Sequence, residues 1–255
     1  MIKLENVTKV YPDGTEAVNN ISFEVKQGEF CVLLGTSGCG KTTTMKLINR
    51  LIPLTGGKIY IDGVDNTKMN PNQLRRNIGY AIQEIGLFPH MTVGQNIETV
   101  PLLKRWPKAE RRARAEELLK LVGMDPAEFL GKYPSELSGG QSQRVGVARA
   151  LGADPPVLLM DEPFGAIDPI TRTGLQDEFL KIQRAIKKTI IFVTHDIFEA
   201  VKLADRVVLM NEGKLVQYDT PENLIHKPRN QFVADFVGAD GAIKTALEEI
   251  SRRRF

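Results

Sequence analysis

Phe30-Cys31-Val32-Leu33-Leu34 is an unbroken apolar run that passes directly into Gly35-Thr36-Ser37-Gly38-Cys39-Gly40-Lys41-Thr42. A run apolar at every position suits a strand buried on both faces. The eight residues after it match GxxxxGK[ST], a phosphate-binding pattern whose context is a strand before and a helix after. A helical stretch does follow, from about Lys41 to Leu51, with Met45, Leu47, Ile48 and Leu51 on its apolar side. Strand, glycine loop and helix in that order point to an α/β sheet with this run inside it.

The chemistry of such a loop needs these residue types. Glycines let the backbone turn tightly and aim its N–H groups inward as a concave anion nest. The helix start adds the positive end of its dipole. Lys41 is expected to reach the β- and γ-phosphates of a nucleotide, and the Thr42 hydroxyl to ligate Mg²⁺. Thr36, Ser37, Gly38, Gly40 and Thr43 complete the candidate phosphate contacts, with Cys39 as a small loop residue.

A second apolar run, Val157-Leu158-Leu159-Met160, ends in Asp161 and Glu162. Asp161 is expected to hold Mg²⁺ through its water shell, as hard oxygen chemistry prefers. Glu162 would orient or deprotonate an attacking water. A pair of acids capping a strand for solubility is the plainer alternative. His195 follows another apolar strand, in Val193-Thr194-His195-Asp196. Ligands gather at the C-terminal strand ends of doubly wound sheets, although a lone histidine can equally be structural. Gln83, after the strand Ile78 to Ile82, is polar at a similar place and means nothing alone.

The rest of the chain supports an α/β core. Residues 1–30 read as short extended pieces separated by Pro12-Asp13-Gly14 and Lys26-Gln27-Gly28, with Ile21 to Val25 alternating as a half-buried strand. Lys58 to Ile61, Ile190 to Val193 and Val207 to Met210 are further strands, and a long amphipathic helix spans roughly Ile170 to Lys187. Strands alternating with helices imply a parallel sheet with crossover helices. From Val93 to Ala153 the pattern is mostly helical, with Ala115, Leu118, Leu119 and Val122 at helical spacing, and reads as an insertion. Ser251 to Arg254 reads as a frayed helix end.

Composition excludes some function classes. A net charge of +3 offers no dominant basic stripe for nucleic acid. The densest basic stretch, Lys104 to Arg114, runs into Glu116 and Glu117 as a solvated helix face does. Cys31 and Cys39 form no CxxC pair and fit a reducing compartment. The start lacks the apolar core of a secretory leader, and no apolar stretch approaches the ~20 residues that cross a bilayer. The expectation is a soluble chain whose membrane role requires a membrane-spanning partner.

Leu137-Ser138-Gly139-Gly140-Gln141-Ser142-Gln143-Arg144 separates this chain from other phosphate-loop enzymes. It resembles the signature peptide of ATP-binding cassette (ABC) proteins, and the order Tyr11, phosphate loop, Gln83, signature, Asp161-Glu162, Asp168, His195 is that family's over essentially the whole chain. The resemblance implies an α/β P-loop NTPase cassette: a mainly parallel sheet core with an N-terminal antiparallel β-subdomain and an inserted helical subdomain. Its parts would be 1–83 with about 154–240 for the core, about 84–153 for the helical subdomain and 241–255 for the tail. It implies ATP and Mg²⁺ as cofactors, and a head-to-tail homodimer in which Ser138, Gly139, Gly140 and Gln141 close over the γ-phosphate held by the partner's Lys41.

Tyr11 resembles the aromatic residue that stacks on adenine, with an edge-strand tyrosine as the alternative. Gln83 resembles the glutamine that senses Mg²⁺ and the attacking water, Asp168 the aspartate of the loop crossing the dimer interface, and His195 the histidine that contacts the γ-phosphate. The Asp168 loop reads Phe164-Gly165-Ala166-Ile167-Asp168, where the family more often has Ser-Ala-Leu-Asp.

Ile78 to Val93, Asp161 to Asp168 and Phe232 to Gly238 are similar to ATPase subunits of osmoprotectant importers, which take up glycine betaine, carnitine, choline or related quaternary amines. That resemblance implies integral-membrane permease subunits, indirectly a substrate-binding protein, no nucleic acid, and a cytoplasmic, peripheral position on the inner face of the cell membrane. Leu87, Phe88 and Met91 would suit a groove for a permease helix, unless Leu87 and Phe88 pack the insertion's own core. An importer for another small solute, a mechanical ATPase on DNA or ribosomes, and a small-molecule phosphotransferase are the competing readings. Many members of the subgroup continue into paired CBS domains; the sequence here ends at Phe255, so sensing through such domains is not claimed.

Overall fold

A computed structural model of the chain describes residues 1–82, 86–165, 169–186 and 188–238, together with 245, 247, 249 and 250. Gln83, Asp168 and the tail 251–255 lie outside the described residues. The chain divides into two compact units, Met1–Asn70 with Thr189–Phe255, and Pro71–Lys188. Elements are numbered along the chain.

The first unit opens with β1 (Ile2–Val10) and β2 (Glu16–Val25), then β3 (Phe30–Gly35), α1 (Lys41–Ile48), β4 (Gly56–Ile61) and β5 (Val64–Asp65). The order β2-β1-β4-β5 makes an antiparallel sheet. Ile2, Leu4 and Val7 point into the core, while Lys3 and Glu5 pair outside at 2.7 Å. The short extended pieces expected over residues 1–30 are in fact two long strands. Asn6 and Asn20 adopt φ of 47° and 49°, and β1 changes register against β2 along its length. These turn-like residues serve as bulges that a strand can pass through.

The second sheet of this unit is built on β3, buried at every position. α2 (Pro71–Arg76), β6 (Ile78–Ala81), α3 (Val93–Leu103), α4 (Lys108–Leu121), α5 (Pro126–Phe129), α6 (Gly139–Leu151), β7 (Val157–Asp161) and α7 (Pro169–Ile186) belong to the second unit. The first unit resumes with β8 (Thr189–Thr194), α8 (Ile197–Leu203), β9 (Arg206–Asn211), β10 (Lys214–Asp219), α9 (Pro221–His226) and α10 (Gln231–Phe236). Strands β8 and β9 run parallel to β3 on either side of it, and β10 adds antiparallel to β9. The sheet is therefore mainly parallel, as expected, with one antiparallel strand at its edge.

Helix α1 ends at Ile48 rather than Leu51. Arg50 turns left-handed at φ 53°, and buried Asn66 donates its Nδ2 to the carbonyls of Leu47 and Ile48 at 3.1 and 3.3 Å. The Leu47 carbonyl also accepts from Arg50 N–H at 3.0 Å, so the helix end is closed by its own next turn and by a side chain 18 positions beyond Ile48.

In the second unit β6 and β7 pair in parallel, Ile78 opposite Val157 and Ala81 opposite Met160. Helices α3, α4 and α6 pack together, with Ala115, Leu118, Leu119, Val145 and Ala148 buried. Truncating Leu118 or Leu119 to alanine would cost about 2–5 kcal/mol. Gly79 lets α6 approach β6, because a Cβ there would lie 2.3 Å from the Ala150 carbonyl oxygen. The basic stretch of α4 is only partly the solvated face expected: Arg112 is exposed and pairs with Glu116 at 3.2 Å, while Arg111 and Arg114 are half-buried and pair with Glu98 at 3.3 Å and Glu117 at 2.9 Å. Among the described residues no helix is long and apolar enough to cross a membrane.

Candidate functional site

The phosphate loop spans the gap between the end of β3 and the start of α1, and two of its glycines are compelled by close packing. Gly35 has φ 150°, and a Cβ on it would stand 2.3 Å from the Met210 carbonyl oxygen and 2.7 Å from Cys39 Sγ. Gly40 has φ 103°, and its Cβ would stand 2.3 Å from the Ala17 carbonyl oxygen. The β9–β10 hairpin braces the loop from behind. Gly213 N–H donates to the Cys39 carbonyl at 3.2 Å, and the Gly213 carbonyl accepts from Asn19 N–H at 2.8 Å.

Lys41 is buried, and its Nζ donates to the carbonyls of Gly35 and Thr36, both at 2.8 Å, and reaches Cys39 Sγ at 3.8 Å. The ammonium thus lies across the loop, bonded to oxygens that phosphate oxygens can replace. Burial pushes the Cys39 thiol up from its ordinary range despite the nearby Lys41 charge, so it stays a neutral thiol at physiological pH. Thr36, Ser37 and Gly38 are exposed, and Thr42 and Thr43 are half-buried.

His195 lies at the same end of the sheet. Leu34 is opposite Thr194 in the β3–β8 register, so the residues that follow are Gly35 on one strand and His195 on the other. His195 is exposed. The turn under it is pinned by a buried pair: Thr194 Oγ1 donates to Glu199 Oε2 at 2.6 Å and accepts from Asp196 N–H at 3.0 Å. Asp196 then caps α8 by accepting from Phe198 N–H at 2.8 Å. Thr194 and Glu199 carry no sequence signal of this role.

In the second unit Asp161 ends β7 and is buried. Burial pushes the Tyr80 phenol up to about 12, and the Asp161 carboxylate adds to that shift. Glu162 follows in the left-handed region at φ 43°, a conformation that costs a non-glycine residue on the order of 1–3 kcal/mol and clusters at functional sites. Its carbonyl accepts from Gly165 N–H at 3.1 Å, and Phe164 packs edge-on against Phe179 with centroids 6.1 Å apart.

Ser138 is the N-cap of α6. Its Oγ accepts from Gln141 N–H at 3.3 Å, while Ser138 N–H donates to Gln141 Oε1 at 2.9 Å. This capping box orders the helix start and leaves the serine O–H able to donate outward. Ser138 and Gly139 are exposed, and a Cβ on Gly139 would meet nothing within 4 Å. Further along α6, Arg149 donates to the Gly86 carbonyl at 2.6 Å. Buried Asn96 pins the next segment through the Phe88 backbone and the carbonyls of Met91 and Thr92. Phe88 is exposed there, with Leu87 and Met91 half-buried.

The donor set fits a polyphosphate and Mg²⁺. The loop offers glycine backbone at positions that a Cβ would fill, and Thr42 supplies a hydroxyl oxygen beside it; in the second unit Asp161 supplies a carboxylate of its own. Among the described residues no cluster of three His, Cys, Asp or Glu forms a cage; Mg²⁺ usually takes one or two carboxylates, with phosphates and water completing its shell.

Residues 18–165 match the family model described as ABC transporter. The chain is 58% identical over 245 residues to the glycine betaine/carnitine/choline transport ATP-binding protein OpuCA of Bacillus subtilis (strain 168), covering 96% of this chain and 64% of that protein. It is 55% identical over 252 residues to the choline transport ATP-binding protein OpuBA of the same organism, covering 99% of this chain and 66% of that protein. The chain therefore spans just under two thirds of the length of these relatives. Among solved structures, the dimeric ATP-binding cassette MJ0796, in a post-hydrolysis state bound to ADP and Pi, superposes with a TM-score of 0.79 at 35% identity, covering 87% of this chain and 99% of that one.

Proposed function

This chain belongs to the ABC transporter family, and from that premise we propose that it is the ATP-hydrolysing, energy-coupling subunit of a membrane importer for quaternary-amine osmoprotectants such as glycine betaine, carnitine or choline. The observation that carries the ATPase reading is the phosphate loop itself, with Gly35 and Gly40 in glycine-only geometry and Lys41 laid across it. The cargo reading is supported by the relatives named above, since no residue here touches the solute.

In this reading Lys41 and the loop N–H groups bind the β- and γ-phosphates, and Tyr11 stacks on adenine. Thr42, Asp161 and Gln83 would hold Mg²⁺, which when bound would neutralise charge on the phosphate oxygens. Glu162 orients or deprotonates water, and His195 contacts the γ-phosphate. Residues Ser138 to Gln141 serve the nucleotide of a second copy in a head-to-tail dimer, with Asp168 in the loop between copies. Two equivalent sites follow from that two-fold symmetry. Residues 84–153 act as the helical subdomain, and the segment around Leu87, Phe88 and Met91 receives the permease on the inner face of the membrane. A substrate-binding protein delivers the solute.

Replacing Glu162 by Gln should leave ATP binding intact, lower phosphate release about 10²–10⁴-fold and stabilise a dimer. Wild-type turnover in that variant would remove Glu162 from its role. Uptake of labelled glycine betaine by cells carrying this chain with its permease tests the cargo; uptake of an amino acid instead would overturn that assignment.

A further inference from the structure

Lys9 is only 7% exposed, and among the described residues no ion pair involves it. Its Nζ donates to the Pro53 carbonyl at 2.9 Å and stands 5.1 Å from the centroid of the Tyr11 ring. Buried charges are ordinarily matched by a carboxylate, and a lysine without one is costly. A leucine or methionine would fill the same strand position without that cost. What the ammonium does have is one carbonyl anchor and one aromatic face.

Tyr11 lies just past the end of β1. Its backbone is fixed by a turn, with Tyr11 N–H donating to the Thr15 carbonyl and Gly14 N–H to the Tyr11 carbonyl, both at 2.9 Å. That turn fixes the Cα but not the ring, which is half-buried. The platform is also tied to the phosphate loop. Lys9 pairs with Val18 across β1 and β2, and the neighbouring Ala17 carbonyl is the group packed against Gly40.

We propose that Lys9 is a positioning residue for base recognition. Its ammonium, anchored on Pro53, holds one face of the Tyr11 ring and presents the other face to adenine. A cation over one face draws electron density from the ring, which favours stacking of an electron-rich purine on the opposite face. Lys9 thereby determines how far the site prefers a nucleotide over a bare polyphosphate. The proposal rests on the reading of Tyr11 as the adenine platform.

The test compares Mg-ATP with Mg-tripolyphosphate binding to the full chain by titration calorimetry. Lys9→Met should weaken ATP about 3- to 10-fold and leave tripolyphosphate unchanged. Lys9→Arg should retain wild-type affinity for ATP, since guanidinium also binds aromatic faces. In a Tyr11→Ala background, Lys9→Met should add nothing. Equal loss for both ligands would overturn the proposal, because Lys9 would then serve the fold. Unchanged ATP affinity in Lys9→Met, with a loss in Tyr11→Ala, would overturn Lys9 alone. Unchanged ATP affinity in Tyr11→Ala would overturn both, and would place the failure in the platform reading.

Discussion

The phosphate loop and the signature peptide both put glycine at a helix start, but the chain makes opposite demands on the two. Gly35 and Gly40 have positive φ and would each drive a Cβ into a backbone oxygen 2.3 Å away. Their requirement is internal: the fold cannot close around any other residue. Gly139 is exposed with nothing within 4 Å, and its helix is already capped by Ser138 and Gln141. Nothing in its own chain asks for a glycine there. Gly131 and Gly174 are equally open, so openness alone names no ligand; the reading proposed above adds one at Gly139, an anionic phosphate held by a second copy.

The largest effect expected from this contrast is at Gly40. Replacement by alanine combines left-handed strain with a backbone clash, together roughly 3 kcal/mol or more. Thermal unfolding should fall on the order of 5–10 °C, with ATP binding lost alongside; an unchanged melting temperature would break the internal half of the comparison. Gly139→Ala should do the reverse. Stability should hold or rise slightly, since alanine favours helix, while turnover at saturating ATP falls roughly tenfold. Unchanged turnover would break the external half. Ser138→Ala is the smallest and sharpens the comparison, because this serine serves both masters. Loss of its cap should cost about 1 kcal/mol in denaturant unfolding, and ATP binding by the single chain should not move.

The two regions also differ in how plainly the sequence states them. The phosphate loop follows β3, whose residues are all buried and all apolar, so one pattern states both strand and site. The same holds for β7 before Asp161, and for β8 before His195 between its two terminal threonines. The signature was legible only through resemblance, because an exposed serine and glycines carry no periodicity. Strand β10 carries no such signal: Lys214 to Asp219 are largely half-buried on an edge and offer no apolar run. Asn66 bonds the end of α1 from 18 positions away, and Lys9 bonds the Pro53 carbonyl 44 residues along the chain. Such long-range contacts leave no local trace. Neither does the left-handed backbone of Glu162.

In the proposed head-to-tail dimer Lys41 and Gly139 of one chain serve different nucleotides. Mixing two inactive chains tests it directly: Lys41→Ala, which loses its loop, and Gly139→Asp, which sets a negative charge against the partner's phosphate. In a head-to-tail dimer the mixed pair contains one intact site, formed by the loop of the second variant and the signature of the first. Half of randomly formed dimers are mixed and half of their sites are intact, so phosphate release should recover to about a quarter of wild type. No recovery at any mixing ratio would mean that loop and signature act on one nucleotide within a single chain, and would contradict the account.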